Sequence, residues 1–198
     1  MMTTVTSTAT EQTTRMTSAQ RREQILAAAR RVFAESGYAA TTDEVARAAG
    51  VSQPYVVRLF GSKRELFLAT YQQAAEEVNT ALASPPEGLS PEEAEDAMGA
   101  AYLELIEDRD LLRLMMHGFI AGADEEVGRI ARHCLGEAYR LYLARTGGTE
   151  DDARRFVAFG MLLNVLVALD ATGHKGEDVG MDGLIECVFL AANERRTA

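Results

Sequence analysis

The stretch TDEVARAAGVSQPYVVRLF, residues 42–60, constrains the fold more than any other part of the chain. Its first half reads as a helix over about 42–49, with Val45, Ala48 and Ala49 on the inner face and Ala46 and Ala49 small enough for a second helix to approach closely. Its second half reads as another helix, about Gln53 to Phe60. Pro54 forbids one continuous helix, because an interior proline loses a hydrogen bond and clashes with the preceding turn, at a cost of about 3 kcal/mol. In a first turn the missing N–H has no intrahelical acceptor to lose, so Pro54 belongs near a helix start. Gly50 can adopt the left-handed conformation a tight turn needs, Val51 plugs the junction, and Ser52 is placed to cap the second helix, which Gly61 ends. Two short amphipathic helices joined through a glycine turn form the helix-turn-helix signature, a spacing that an ordinary helical hairpin in an all-α domain shares.

The remaining chain is also helical in pattern. No period-2 run of β-branched residues bounded by turns is present, whereas the capping-box pairs Thr17/Gln20, Thr41/Glu44, Ser62/Glu65 and Ser90/Glu93 recur. A first helix over about Ser18–Ser36 carries the stripe Ile25, Ala28, Ala29, Val32, Phe33 and stops at Gly37. A fourth starts at the Ser62 cap and runs to about Ala83, where SPPEGLSP forms a linker. Further helices are predicted near 91–107, 109–121, 124–145, 150–171 and 182–194. The fold class is therefore all-α. It divides into a tail at 1–16, a helix-turn-helix domain at 17–62 and a larger helical domain at 63–198.

The net charge of −10 argues at face value against a nucleic-acid partner, but its distribution does not. Residues 15–75 hold nine Lys or Arg against five Asp or Glu, and residues 76–198 hold eleven against 24. A phosphate backbone is attracted to such a front and repelled by such a body. The Thr- and Ser-rich first sixteen residues lack the pattern of a signal peptide. The longest apolar run, 156–169, is shorter than the roughly 20 residues of a membrane span, so the expected location is cytoplasmic with no membrane partner. Two cysteines, Cys134 and Cys187, read as buried thiols rather than a disulfide framework.

Residues 18–70 resemble the DNA-binding domain of the tetracycline-repressor (TetR) family of transcriptional regulators, through ILAAARRVFAESGY, TT, VARAAGVS and FGSKRELF. The resemblance implies a three-helix DNA-binding domain, a C-terminal domain for effector binding and dimerisation, and a repressor released from a palindromic DNA operator by a small-molecule effector. It also implies that the third helix lies in the major groove. Gln53, Pro54, Tyr55 and Arg58 are then the candidate DNA-contacting residues. Gln53 suits adenine and Arg58 suits guanine or phosphate. Thr41 and Thr42 are candidates for phosphate contacts, as is Lys63 at the start of the fourth helix; Tyr38 reads as a core or backbone-contact aromatic. Two departures mark this chain: the segment before Val45 is about one residue short, and Tyr55 stands where the family has a small residue while Val57 replaces a tyrosine. An operator therefore does not transfer by analogy.

In the acidic body, Tyr102, Met115, His117, Phe119, Asn164 and Asp170 are candidate pocket residues, being polar groups in apolar surroundings or adaptable apolar ones. The effector expected is a small hydrophobic or amphipathic molecule; control by a partner protein is the alternative. The run 156–169 is apolar nearly all round, as in a helix covered on more than one side. Phe156, Phe159, Leu163, Val167, Leu184, Cys187, Val188 and Leu190 are the candidates for a homodimer interface built, as in the family, from the last two helices. No catalytic motif, cofactor site or metal site is expected, a helical-bundle enzyme or metal protein being the remote alternative. The three histidines form no HExxH pattern, and His133/Glu137 and Asp170/His174 read as surface ion pairs.

Overall fold

The computed structural model describes residues 16–197, with side chains through Val188. Residues 1–15 of the expected tail and the Leu190 side chain lie outside the described residues. The described residues form α-helices joined by turns and three short 3-10 segments, without strands. The helices are α1 (Ser18–Ser36), α2 (Thr42–Ala49), α3 (Gln53–Phe60), α4 (Lys63–Ala83), α5 (Pro91–Leu105), α6 (Arg109–Ile120), α7 (Glu125–Thr146), α8 (Glu150–Ala168) and α9 (Val179–Thr197). Thr17, Thr41 and Ser90 form reciprocal capping boxes with Gln20, Glu44 and Glu93. At Ser62 only one half forms, the hydroxyl accepting from the Glu65 N–H. Asp108 and Asp124, caps the sequence reading passed over, each accept two backbone N–H groups at the starts of α6 and α7.

The turn between α2 and α3 is built as the sequence requires. Gly50 takes the left-handed conformation (φ 66°), and the Val51 N–H reaches back to the Ala46 carbonyl at 2.9 Å, the six-residue closure of a Schellman end. Gln24 on α1 donates to the Ala49 carbonyl at 2.9 Å and ties the turn to the first helix. Two details correct the sequence reading. Ala46 is buried in place of Ala48, which is exposed. Ser52 occupies the N-cap position without a side-chain cap bond; the N–H at the second helical position is the one Pro54 lacks, and the Tyr55 N–H bonds the Ser52 carbonyl instead.

The apolar core runs without a break from the first three helices through α4 into the body. Phe33, Phe67, Leu66, Val45 and Val56 are fully buried at one end and Met98, Leu114 and Val127 at the other. Each such side chain contributes roughly 1.5–3 kcal/mol of burial. Phe67 is the pivot: it meets Phe33 edge-on at 5.0 Å, Tyr38 edge-on at 5.3 Å and stacks on Tyr71 at 6.0 Å. Two ion-pair clamps cross the same boundary. Arg30 of α1 bonds Glu77 and Asp108 at 2.7 and 2.6 Å, and Arg64 of α4 grips both oxygens of Asp124 at 2.8 and 2.9 Å. That grip is the main reason the Asp124 carboxyl is held below the usual carboxylate range, so its contribution is present at neutral pH and is lost as the pH falls through the lowered pKa.

Tyr71 is fully buried, and its hydroxyl has no hydrogen-bond partner among the described residues. An unsatisfied buried polar atom costs about 1–3 kcal/mol. Tyr71→Phe should therefore raise the unfolding free energy by about 1 kcal/mol, read from urea unfolding; a loss of stability would show that the hydroxyl has a partner.

Candidate DNA-binding face and effector cavity

Four short contacts shape the surface around α3. Gln53, half-buried at the first position of α3, donates from Nε2 to Thr42 Oγ1 at 3.1 Å. The exposed Arg58 guanidinium lies 4.9 Å from the centroid of the Tyr55 ring, whose other side packs on the core. Lys63 Nζ donates to the Tyr38 carbonyl at 2.8 Å and sits 4.4 Å above the Tyr38 ring. Thr41 spends its hydroxyl on Glu44, accepting from its N–H at 3.2 Å and donating to its carboxylate at 2.8 Å. Thr41, Pro54 and Arg58 are exposed and Thr42, Gln53, Tyr55 and Lys63 half-buried, while Val56 and Phe60 turn into the core. The pairings of Gln53 with Thr42 and of Arg58 with Tyr55 had no signal in the sequence beyond the i, i+3 spacing of the second. Tyr38 is 42% exposed yet edge-on to Phe67, so it serves as both surface and wall.

The body has a cavity of about 970 Å³ between α4, α5, α6, α7 and α8, open on one side, with Val188 of α9 also in its wall. Tyr102, Met115, Phe119 and Asn164 line it. His117 and Asp170 do not, which corrects the sequence reading. His117 faces the other way on α6, against Gly37, where an added Cβ would stand 2.7 Å from its Nδ1. Asp170 is the partner of Arg109 at 3.0 Å and caps the turn after α8 with a left-handed backbone. Within the cavity wall the Tyr102 hydroxyl donates to Asn164 Oδ1 at 2.8 Å, and the Tyr142 hydroxyl donates to Glu95 at 2.6 Å. Burial pushes the Tyr102 and Tyr142 hydroxyls up to about 12, aided at Tyr142 by Glu95. Burial likewise raises the Cys134 thiol to about 11, so at neutral pH it is an inert wall residue. Sequence reading missed Cys134, Tyr142, Phe156 and Gly160 as lining residues, because a cavity depends on which helices meet and not on one helix's pattern.

The last two helices present a different surface. Ala158 and Val165 on α8 and Leu169 just past its end are exposed on its outer side, with Phe159 beside them, Leu169 57% exposed and Leu162 half-buried at the edge of a second core. Gly180, Gly183, Leu184 and Cys187 are the exposed counterparts on α9. Phe156, Leu163 and Val188, named above as interface candidates, are instead packed within the chain: Phe156 against Tyr142 at 5.0 Å, and Leu163 and Val188 in a second core with Leu166 and Ile185. Val167 is partly buried against that core. Cys187 is exposed, not buried. Asp170 and His174 do not pair; His174 bonds Glu177 at 3.0 Å.

Among the described residues no group of three or more His, Cys, Asp or Glu is arranged to hold a metal ion, and no helix is long and apolar enough to cross a membrane. A three-helix unit with a glycine-turned helix-turn-helix, joined by a long helix to a helical body with a cavity, defines the class of DNA-binding transcriptional regulators. Residues 25–70 match the family described as bacterial regulatory proteins, tetR family. The chain is 30% identical over 163 residues to the HTH-type transcriptional activator FasR of Mycolicibacterium smegmatis, spanning 78% of this chain and 72% of that one. Its structure is similar to that of a transcriptional regulator from Rhodococcus sp. Rha1, with a TM-score of 0.63 and 29% identity over 77% of this chain and 83% of the other. It is also similar to the multidrug binding protein EbrR complexed with proflavin, with a TM-score of 0.56 and 25% identity over 85% of this chain and 98% of the other. The chain belongs to the TetR family and is a DNA-binding transcriptional regulator.

Proposed function

We propose that the chain acts as a homodimer on a palindromic operator and that a small apolar or amphipathic molecule in the body cavity changes its hold on that operator. The observation that carries this reading is one helical turn of α6. Met115 and Phe119 line the cavity, His117 lies against Gly37 of the DNA-binding unit, and Gly118 lies against Tyr71 of α4. A shift of that turn on ligand entry is therefore felt at both connections to the DNA-binding unit. Such a ligand acts only through a difference in affinity for the two arrangements. The division at 17–62 and 63–198 follows the same functions, with α4 as the link.

In this reading α3 enters the major groove by its N-terminal half. Thr42 holds one Gln53 N–H and leaves the other N–H and Oε1 for the two-point pairing with adenine. Tyr55 supports the Arg58 guanidinium edge-out toward a guanine or phosphate. Pro54 stiffens the helix start, and Lys63 supplies a phosphate contact at the start of α4. Thr41 and Thr42 reach phosphates only by exchanging their present hydrogen bonds.

The dimer uses the outer stripe of α8 and the exposed side of α9, with Phe159, Leu184 and Cys187 of the candidates named from sequence; Val167 faces the second core instead. A contiguous apolar stripe of this kind marks an association surface. Leu184→Glu should shift the chain from dimer to monomer in analytical ultracentrifugation and weaken operator binding with it; a dimer undiminished by this change excludes the α8–α9 face.

Repression is the mode favoured by the family at large, and the name of the Mycolicibacterium relative favours activation through the same DNA contact. The regulator has no catalytic role in either case. In vitro transcription from an operator-bearing promoter, with protein alone and with an added ligand, separates the two. Repression requires less transcript with protein alone and recovery with ligand. A ligand that occupies the cavity and leaves operator affinity unchanged defeats the effector reading.

A further inference from the structure

Thr42 and Gln53 are the first residues of α2 and α3, and the hydrogen bond between them joins two helix starts whose backbones are already fixed. The Thr41/Glu44 capping box sets the start of α2, and Pro54, with its fixed φ, sets the start of α3. The turn between the two helices is pinned from α1, where Gln24 donates to the Ala49 carbonyl at 2.9 Å and Arg21 holds Gln24 Oε1 at 2.7 Å. Gln53 therefore does not hang from the end of α3 as a free side chain. It is half-buried, and its Nε2 donates to Thr42 Oγ1 at 3.1 Å. Among the described residues neither side chain makes another hydrogen bond.

A glutamine amide carries two N–H donors on one nitrogen and one acceptor oxygen. With one N–H engaged by Thr42, one donor and one acceptor remain. In the major groove adenine shows an acceptor, N7, beside a donor, its N6 amino group, whereas guanine shows two acceptors, N7 and O6. The tied amide matches adenine at both points. Against guanine it satisfies one acceptor only, and its Oε1 is set against the other. An untied amide has no such restriction, because it can turn its nitrogen to guanine and donate twice.

We propose that Thr42 is a specificity-determining residue that acts through Gln53: by taking one amide N–H it excludes guanine from the base pair that Gln53 reads. The proposal rests on the reading of α3 as the helix that enters the groove, and goes beyond it by placing the choice of base on a positioning residue of α2. The hydroxyl is the required group and the methyl is not. Serine should therefore serve in its place, and valine, of the same shape, should not.

The test uses the full-length protein and the duplex it selects from a random pool, with each base pair of a half-site changed in turn and affinities read by anisotropy competition. Gln53→Ala locates the pair, as the one whose preference it removes. At that pair the wild type should favour adenine over guanine by at least about tenfold, within the range for one two-point base contact. Thr42→Val should collapse that ratio and not the ratios at the other pairs, which a general loosening of the unit would lower together. Thr42→Ala serves as a second variant without the hydroxyl, Thr42→Ser should restore the wild-type ratio, and circular dichroism establishes that each is folded. If Gln53→Ala removes a preference for adenine that Thr42→Val and Thr42→Ala keep, the proposal is overturned and the reading of α3 stands. Ratios lowered alike at every pair, or not restored by Thr42→Ser, overturn it in favour of a packing role. A wild-type preference for guanine that Thr42→Val removes means that the hydroxyl donates to Oε1, and overturns the exclusion of guanine. If the pool yields no preferred duplex, or Gln53→Ala removes no base preference, the base-reading role of Gln53 fails and the proposal with it.

Discussion

Gly118→Ala should destabilise the protein by about 3 kcal/mol, the upper part of the range for overpacking a well-filled core. A Cβ at this position would lie 2.0 and 2.1 Å from two carbons of the Tyr71 ring. That ring has nowhere to go: it is fully buried and stacked on Phe67. The gain from replacing a helical glycine by alanine, about 1 kcal/mol, offsets only part of the clash. For a chain of this size the midpoint of thermal unfolding should fall by roughly 6–12 °C. Tyr71→Leu in the same molecule removes the ring and should restore most of the loss, a coupling on the order of 1–3 kcal/mol in a double-mutant cycle. A single variant within about 0.5 kcal/mol of wild type, the size of an ordinary surface change, would mean that α4 and α6 are not in the contact described. Operator affinity should change with it, because the same turn of α6 touches Gly37 through His117.

Arg58→Ala should weaken binding to a specific operator by about 1–3 kcal/mol per half-site, the worth of one good two-point base contact, and by much less on random duplex. In a dimer both half-sites are affected, so the specific complex loses on the order of a hundredfold or more, at about tenfold per 1.4 kcal/mol. Tyr55→Ala should move in the same direction by a smaller amount, since it removes the ring under Arg58 and leaves the guanidinium. Lys63→Ala, which removes the charge proposed for a phosphate contact, should weaken both DNAs alike and lower the salt dependence of each. Anisotropy titrations on the two duplexes at two salt concentrations measure all of these. Equal losses for Arg58→Ala on specific and random DNA would remove it from the base-reading residues.

How much of this was legible beforehand depends on whether the signal was local. Helix limits were, because caps and stops are written within a few residues: Thr41, Glu44, Gly50 and Pro54 fix α2 and α3 without reference to the rest of the chain. Aspartate caps were missed where the partner three residues on was not Glu or Gln, as at Asp108 and Asp124. Directions around a helix were less legible. Ala46 and Ala48 differ by two residues, and only the packing of α1 decides which turns inward. The site followed the same rule. The basic front and the short recognition helix were visible in charge and spacing, whereas Glu95 and Tyr142 stand 47 residues apart and meet only because α5 and α7 are neighbours. His117 and Asp170 look like pocket residues by composition, yet one faces Gly37 and the other Arg109. The apolar run at 156–169 is covered within the chain on the side of Phe156 and Leu163 and exposed at Phe159, Val165 and Leu169, a division that apolar residues nearly all round the helix do not reveal.

The central claim is that a symmetric pair of α3 helices reads DNA by sequence, and selection of bound duplexes from a random pool by the full-length protein tests it most directly. The expected outcome is convergence on an inverted repeat whose half-sites are one helical turn apart, about 10–10.5 base pairs, or a multiple of it, with the enrichment lost for Arg58→Ala. A pool that fails to converge, or that converges on a sequence without two-fold symmetry, would contradict it.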